Sequence, residues 1–249
     1  MATVVLPLLS LLIPMPAGYV YGGAQAYYET LIGTFMFSIL YAGSAVIYLE
    51  GLETFKPQLR QAYKVICLGI AFIGFNSLQY PIFGVFNLWT SQWFLQGGAD
   101  VSYFVASVLI FLGVRLFARV LGLTPRTLSV KLMVSLALLV GVITFVMVRL
   151  LHLEQSVFDM HLTLTTMPIV PFSLTVFGVL KIKQSSGPAF ANALAWFFVT
   201  LLSSAAGVVL LASFDFAGQT KVLPLLLLPI VLGILWIKSA YAFNKISLY

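Results

Sequence analysis

Seven neutral polar side chains carry most of the chemistry this chain offers: Asn76, Gln79, Tyr80, Ser107, Thr163, Thr166 and Ser203. Amides and hydroxyls exchange hydrogen bonds without changing charge near neutral pH, so their chemistry is recognition of a small apolar or neutral molecule. Each stands inside a long apolar run, where a polar group must find a partner in the protein or meet water in a cavity. Counted from the ends of those runs, they gather at middle to outer depth and form a candidate ligand site. Pro81, Pro168 and Pro171 stand at the same level. A proline removes a backbone donor and frees the carbonyl four residues earlier, here those of Ser77, Leu164 and Met167, so the three are read as hinges. The competing reading is that the hydroxyls of Thr163, Thr165 and Thr166 satisfy the freed carbonyls and bond neighbouring helices.

Reactive groups are sparse, with two histidines, one cysteine and seven acids in the whole chain. His152 and His161 lie nine residues apart and lack the His-Glu-x-x-His spacing of a zinc helix; a nucleophile elbow and a phosphate loop are also absent. The expectation is a non-enzymatic protein with no metal and no cofactor. Cys67, among Val65, Ile66 and Leu68, reads as a small buried hydrophobe. Lys238 lies near the inner end of the last apolar run, beyond the mid-depth position at which a microbial rhodopsin carries its retinal lysine. It reads as snorkelling to headgroups beside Trp236 and Tyr241. Arg115 and Arg119, one helical turn apart, read as anchors at the inner surface, and an inward Arg115 would pair with Glu50 and clamp two helix ends.

The elements that must position these groups follow from composition. Of 249 residues 61% are hydrophobic and 8% charged, where soluble chains run at roughly 45–50% and about 25%. That excludes an ordinary soluble domain, and the basic balance of +6 reads as membrane topology instead of nucleic-acid binding. Runs of about 20 apolar residues predict an all-α, polytopic membrane protein, a seven-transmembrane-helix bundle. The spans fall at about 30–49, 65–86, 101–121, 132–151, 160–180, 189–211 and 222–243. With the amino terminus outside, 11 Lys and Arg fall on the inner side and 2 on the outer, which predicts N-out/C-in in a plasma or inner membrane. Asp100 is expected to cap the third helix after a turn at Gly97-Gly98. Ala42-Gly43-Ser44-Ala45 and Ser203 to Gly207 are expected at close helix contacts.

Residues 1–26 form a separate apolar segment, broken by Pro7 and Pro14, that lies at the outer surface or acts as a signal; Ala24-Gln25-Ala26 resembles a cleavage site. Residues 27–249 form the seven-helix domain. Its length and topology resemble those of small sugar carriers built from two three-helix repeats joined by a linker helix. Matching prolines, which such repeats would place in corresponding helices, are absent. The first expectation is therefore a receptor- or sensor-like module that binds a small ligand in its outer half and signals to a separate membrane or cytoplasmic partner. The alternatives are a structural or assembly subunit of a larger membrane complex, and a facilitative carrier of a small neutral solute.

Overall fold

In a computed structural model of the chain, the described backbone covers residues 23–51, 57–85, 92–123, 126–150, 166–184, 188–216 and 222–246. Side chains are placed chiefly in 35–51, 57–74, 101–150, 166–184, 191–206 and 230–245. Seven long helices run through these residues, and no strand occurs among them. They are α1 (Gly23–Glu50), α2 (Pro57–Val85), α3 (Gln92–Val120), α4 (Val130–Leu150), α5 (Ile169–Gln184), α6 (Pro188–Phe216) and α7 (Val222–Ile246). Each overlaps one expected span. Two stretches are long and apolar enough to cross a membrane, Val101–Val120 in α3 and Val130–Met147 in α4.

Two boundaries differ from expectation for physical reasons. α3 passes without a break through Gly97, Gly98 and Asp100, so Asp100 is not its cap: two glycines cost about 1 kcal/mol each in a helix, and the uninterrupted helical hydrogen bonding outweighs that cost. α5 begins at Ile169, not near Met160, because the backbone turns at Met167 and Pro168. Pro171 falls in the first helical turn, where a missing N–H costs nothing.

Contacts arrange six helices as a closed ring in the order α1, α2, α3, α5, α6, α7 and back to α1. Facing residues give the directions. Gly74 meets Tyr41 and Gly69 meets Ile110, so α1, α2 and α3 run antiparallel in turn. Thr200 reaches the carbonyl of Leu235, placing α6 antiparallel to α7. The two junctions between triplets are parallel: Gly233 lies against Leu40 and Ser239 against Tyr48, while Tyr103 stacks 6.0 Å from Phe172.

The α2 and α3 contact is the closest. A Cβ at Gly69 would fall 2.9 Å from the carbonyl oxygen of Ala106, and one at Gly113 3.0 Å from that of Ala62. Each helix thus lays its backbone on a glycine of the other.

Among the described residues α4 stands outside the ring and packs chiefly on α5, together with the 3-10 turn Arg126–Leu128 that precedes it. Only 17% of its Val130–Met147 stretch is buried, against 44% of Val101–Val120. The link from α3 is well defined. Gly122, at φ 72°, ends α3 with the paired bonds from Leu123 N–H to the Ala118 carbonyl (2.7 Å) and from Gly122 N–H to the Arg119 carbonyl (3.1 Å), the glycine-terminated helix cap. Leu128 then docks, buried, onto Gly178 of α5, and the Ser129 carbonyl accepts the first bond of α4 from Met133.

Candidate functional site

The ring encloses an axis, and at the end carrying Glu50 and Ile246 that axis is filled by aromatic side chains. Tyr48, Tyr63, Phe117, Phe197 and Phe243 come from α1, α2, α3, α6 and α7, and α5 supplies Val179 and Ile182. Helical spacing delivers them, since Tyr41, Ala45 and Tyr48, or Trp236, Ala240 and Phe243, repeat at four and three residues and so share one buried face. Tyr63 meets Phe243 edge to face at 5.4 Å and Phe117 at 5.9 Å; Phe197 meets Phe243 at 5.7 Å. The space left between them is about 10 Å3, so no solute larger than water fits without moving a ring.

Hydrogen bonds fix this plug across α1 and α7. The Tyr48 hydroxyl and Ser239 Oγ are 2.7 Å apart, and Asn244 Nδ2 donates to the Ile47 carbonyl at 2.7 Å. One level further along the axis, Trp236 is fully buried, with its ring centroid 6.3 Å from that of Tyr41 and 5.9 Å from that of Phe197. This corrects the reading of Trp236 as an interfacial neighbour of Lys238. Two residues along a helix turn the side chain by roughly 200°, so Lys238 is exposed and its Nζ stands 4.9 Å over the ring of Trp196.

The candidate ligand residues divide. Ser107 is buried and donates to the carbonyl of Phe104 in its own helix at 2.7 Å. Thr166 Oγ1 lies 3.3 Å from Thr144 Oγ1, joining the approach to α5 with α4, outside the ring. Ser203 is half-buried on α6. Asn76, Gln79, Tyr80 and Pro81 lie on the helical backbone of α2, but their side chains are outside the described residues, as is Thr163 altogether. Pro168 and Pro171 are buried at the start of α5. The carbonyl of Met167 accepts a bond from Val170 at 3.3 Å, and that of Pro168 from Phe172 at 3.2 Å, so Pro171 leaves no orphan at Met167.

Glu50 and Arg115 do not pair, and both side chains are exposed. The reason is the ring order, because α2 packs against both α1 and α3 and separates them. Other buried hydroxyls bond back into helices: Ser44 to the Tyr41 carbonyl, Thr175 to that of Pro171, Ser204 to that of Thr200. Thr200 serves its own helix and the Leu235 carbonyl of α7. Cys67 is buried as expected. Among the described residues no group of three His, Cys, Asp or Glu could hold a metal ion; His152 and His161 lie outside them.

The aromatic plug was not anticipated from sequence. The available signal was the shared seven-residue spacing of Tyr41 with Tyr48 and of Trp236 with Phe243, two matching faces on helices that lie parallel. Comparison of the chain with protein-family models, with curated proteins and with solved structures finds no match to any of them.

Proposed function

We propose that the chain is a seven-span membrane protein, N-out/C-in, and acts as a facilitative carrier of a small neutral solute along the axis of its six-helix ring. The observation that supports this reading is the contact order. Exchanging α1 with α5, α2 with α6 and α3 with α7 maps every ring contact onto another, including the two parallel junctions, and leaves α4 as the element outside. That is the arrangement of two parallel three-helix repeats joined by a linker helix, in which a path at the repeat interface opens to alternate sides. The Glu50 end is then the inner one, and the aromatic plug is the inner gate of a chain facing outward. Asn76, Gln79 and Tyr80, carried by α2, remain candidate solute-binding residues.

The receptor-like reading asks for hinges in both α2 and α5; Pro81 lies within α2, whereas Pro168 and Pro171 stand at the start of α5 and not within it. One observation favours the assembly-subunit alternative: α4 leaves large apolar side chains exposed, Leu138, Val142 and Leu150 among them, which lipid or a protein partner would cover. None of these readings calls for an enzymatic step, a metal, a cofactor or a nucleic acid.

Sealed proteoliposomes loaded with a panel of small sugars, polyols and amides test the proposal. Saturable efflux of at least one solute above that from protein-free vesicles is expected. Equal efflux across the whole panel would reject the carrier, and stable co-purification with a second membrane protein would then favour the subunit reading.

A further inference from the structure

Where α3, the 3-10 turn, α4 and α5 meet, cations collect without carboxylates. Arg115 and Arg119 lie on the last two turns of α3, Arg126 in the 3-10 turn and Lys131 in the first turn of α4, and all four are exposed. Lys181 and Lys183 end α5 beside them in the fold, since the turn and α4 both pack on α5. From Val101 to Leu153 and from Met160 to Phe214 the chain has no Asp or Glu, so the elements forming this corner bring no acid of their own to it. Glu50, an exposed acid at this end of the bundle, sits on α1, a helix that does not adjoin α4 or α5 in the ring.

The same corner has an apolar side. α4 packs chiefly on α5, which leaves the side of α4 turned away from α5 bare. On α4, Leu138, Leu139, Val142 and Val146 are all exposed; on α3, Val101 and Val120 are. A ligand that matches both features carries a negative headgroup and long hydrocarbon chains. Positive charge at the inner surface attracts anionic lipid in general, but the other inner cations, such as Lys64 on α2 and Lys245 on α7, stand on helices away from α4 and its exposed apolar side.

We propose that this corner binds an anionic phospholipid, its phosphate held by Arg115, Arg119, Arg126 and Lys131 and its acyl chains lying along the bare apolar side of α4. The site rests on the membrane-spanning reading and is independent of solute transport. The bound lipid covers the side of α4 that the protein leaves bare, and so steadies the linker between the two triplets.

The test uses the full chain reconstituted in phosphatidylcholine bilayers containing a minor share of phosphatidylglycerol, followed by native mass spectrometry of the lipids that stay bound. The wild type is expected to retain phosphatidylglycerol in preference to phosphatidylcholine. Retention should fall roughly five-fold for each cation removed in Arg115→Gln, Arg119→Gln and Arg126→Gln, alone and combined. Lys64→Gln with Lys245→Gln should leave retention unchanged. Equal retention of the two lipids by the wild type, or an equal loss in the Lys64 and Lys245 variant, would overturn the site. Displacement of the lipid by glycerol 3-phosphate would overturn the part assigned to the acyl chains. Failure of the chain to enter bilayers of either composition would remove the membrane reading and the site with it, whereas entry without preference removes the site alone.

Discussion

The hydroxyl of Tyr48 and Oγ of Ser239 share a hydrogen bond of 2.7 Å that closes the ring between its first and last helices, 191 positions apart in the chain. Tyr48 also stacks at 6.0 Å from Phe243 and 6.4 Å from Tyr63, so one side chain serves both the seam and the plug. These roles separate by mutation. Tyr48→Phe keeps the ring and loses the bond, costing about 0.6 kcal/mol, the usual worth of such a bond between helices in a bilayer. Tyr48→Ala also leaves a hole and should cost about 3–5 kcal/mol. Chemical denaturation in mild detergent reads both values. In proteoliposomes the alanine variant should leak solute faster than wild type, and an unaltered leak would deny Tyr48 its place in the gate.

Gly113→Ala places a methyl group 2.5 Å from Ile66 Cγ1 and 3.0 Å from the Ala62 carbonyl oxygen. Backbone cannot yield as a side chain can, so α2 and α3 must separate, at a cost of about 1–3 kcal/mol. Gly43→Ala, with nothing within 4 Å of the new Cβ, should be neutral or slightly stabilising through helix propensity. Thermal melting of the two variants side by side checks the contrast; equal melting temperatures would contradict the close contact.

Leu128→Ala empties the seat against Gly178 and should cost about 2–5 kcal/mol locally. The effect belongs to the link between α3 and α4, not to the ring. Trypsin should therefore cut after Arg126 faster than in wild type while the melting temperature of the bundle changes little, a pattern of local opening. Cutting at the wild-type rate would show that Leu128 does not hold the link.

Cys67 is the single cysteine and is buried. A membrane-permeant maleimide should label it slowly in the folded protein and at full rate once the bundle unfolds, so labelling gives a probe of the α2 core without further engineering. Fast labelling under native conditions would mean that α2 turns another face inward.

Topology is testable with reporters placed after Tyr249 and within 86–91. They are expected on opposite sides of the membrane, the carboxyl terminus inside. Reports from the same side would refute an odd number of crossings between them and the span assignment with it.

Much of the helix inventory was legible in the sequence, because apolar length alone marks a helix when charges are confined to the ends. Boundaries failed where a local rule met a stronger one, as when Asp100 and its glycine pair were absorbed into α3. The neighbours were not legible. α4 is as apolar as the helices of the ring, and nothing in Leu138 or Val142 says that they face outward, since lipid and protein interior select the same residues. The contact of α3 with α5 skips an element, and no local pattern encodes that. Polar residues were ambiguous in a specific way: Ser107 could serve a ligand or its own helix, and its hydroxyl donates to the Phe104 carbonyl while its oxygen is still able to accept. The plug was missed because its five aromatic members come from five different helices and acquire meaning only when the ring closes.

The placement of α4 also bears on how such a chain could arise. A triplet of helices crosses an odd number of times, so a tandem duplicate fused directly to it would enter the bilayer upside down. One additional crossing restores the parity, and its own packing need satisfy no partner beyond α5. On the proposed membrane-spanning reading, α4 is in that sense an arithmetic requirement of joining two like halves head to tail, which would leave its outward side free of the demands that fix the residues on the axis.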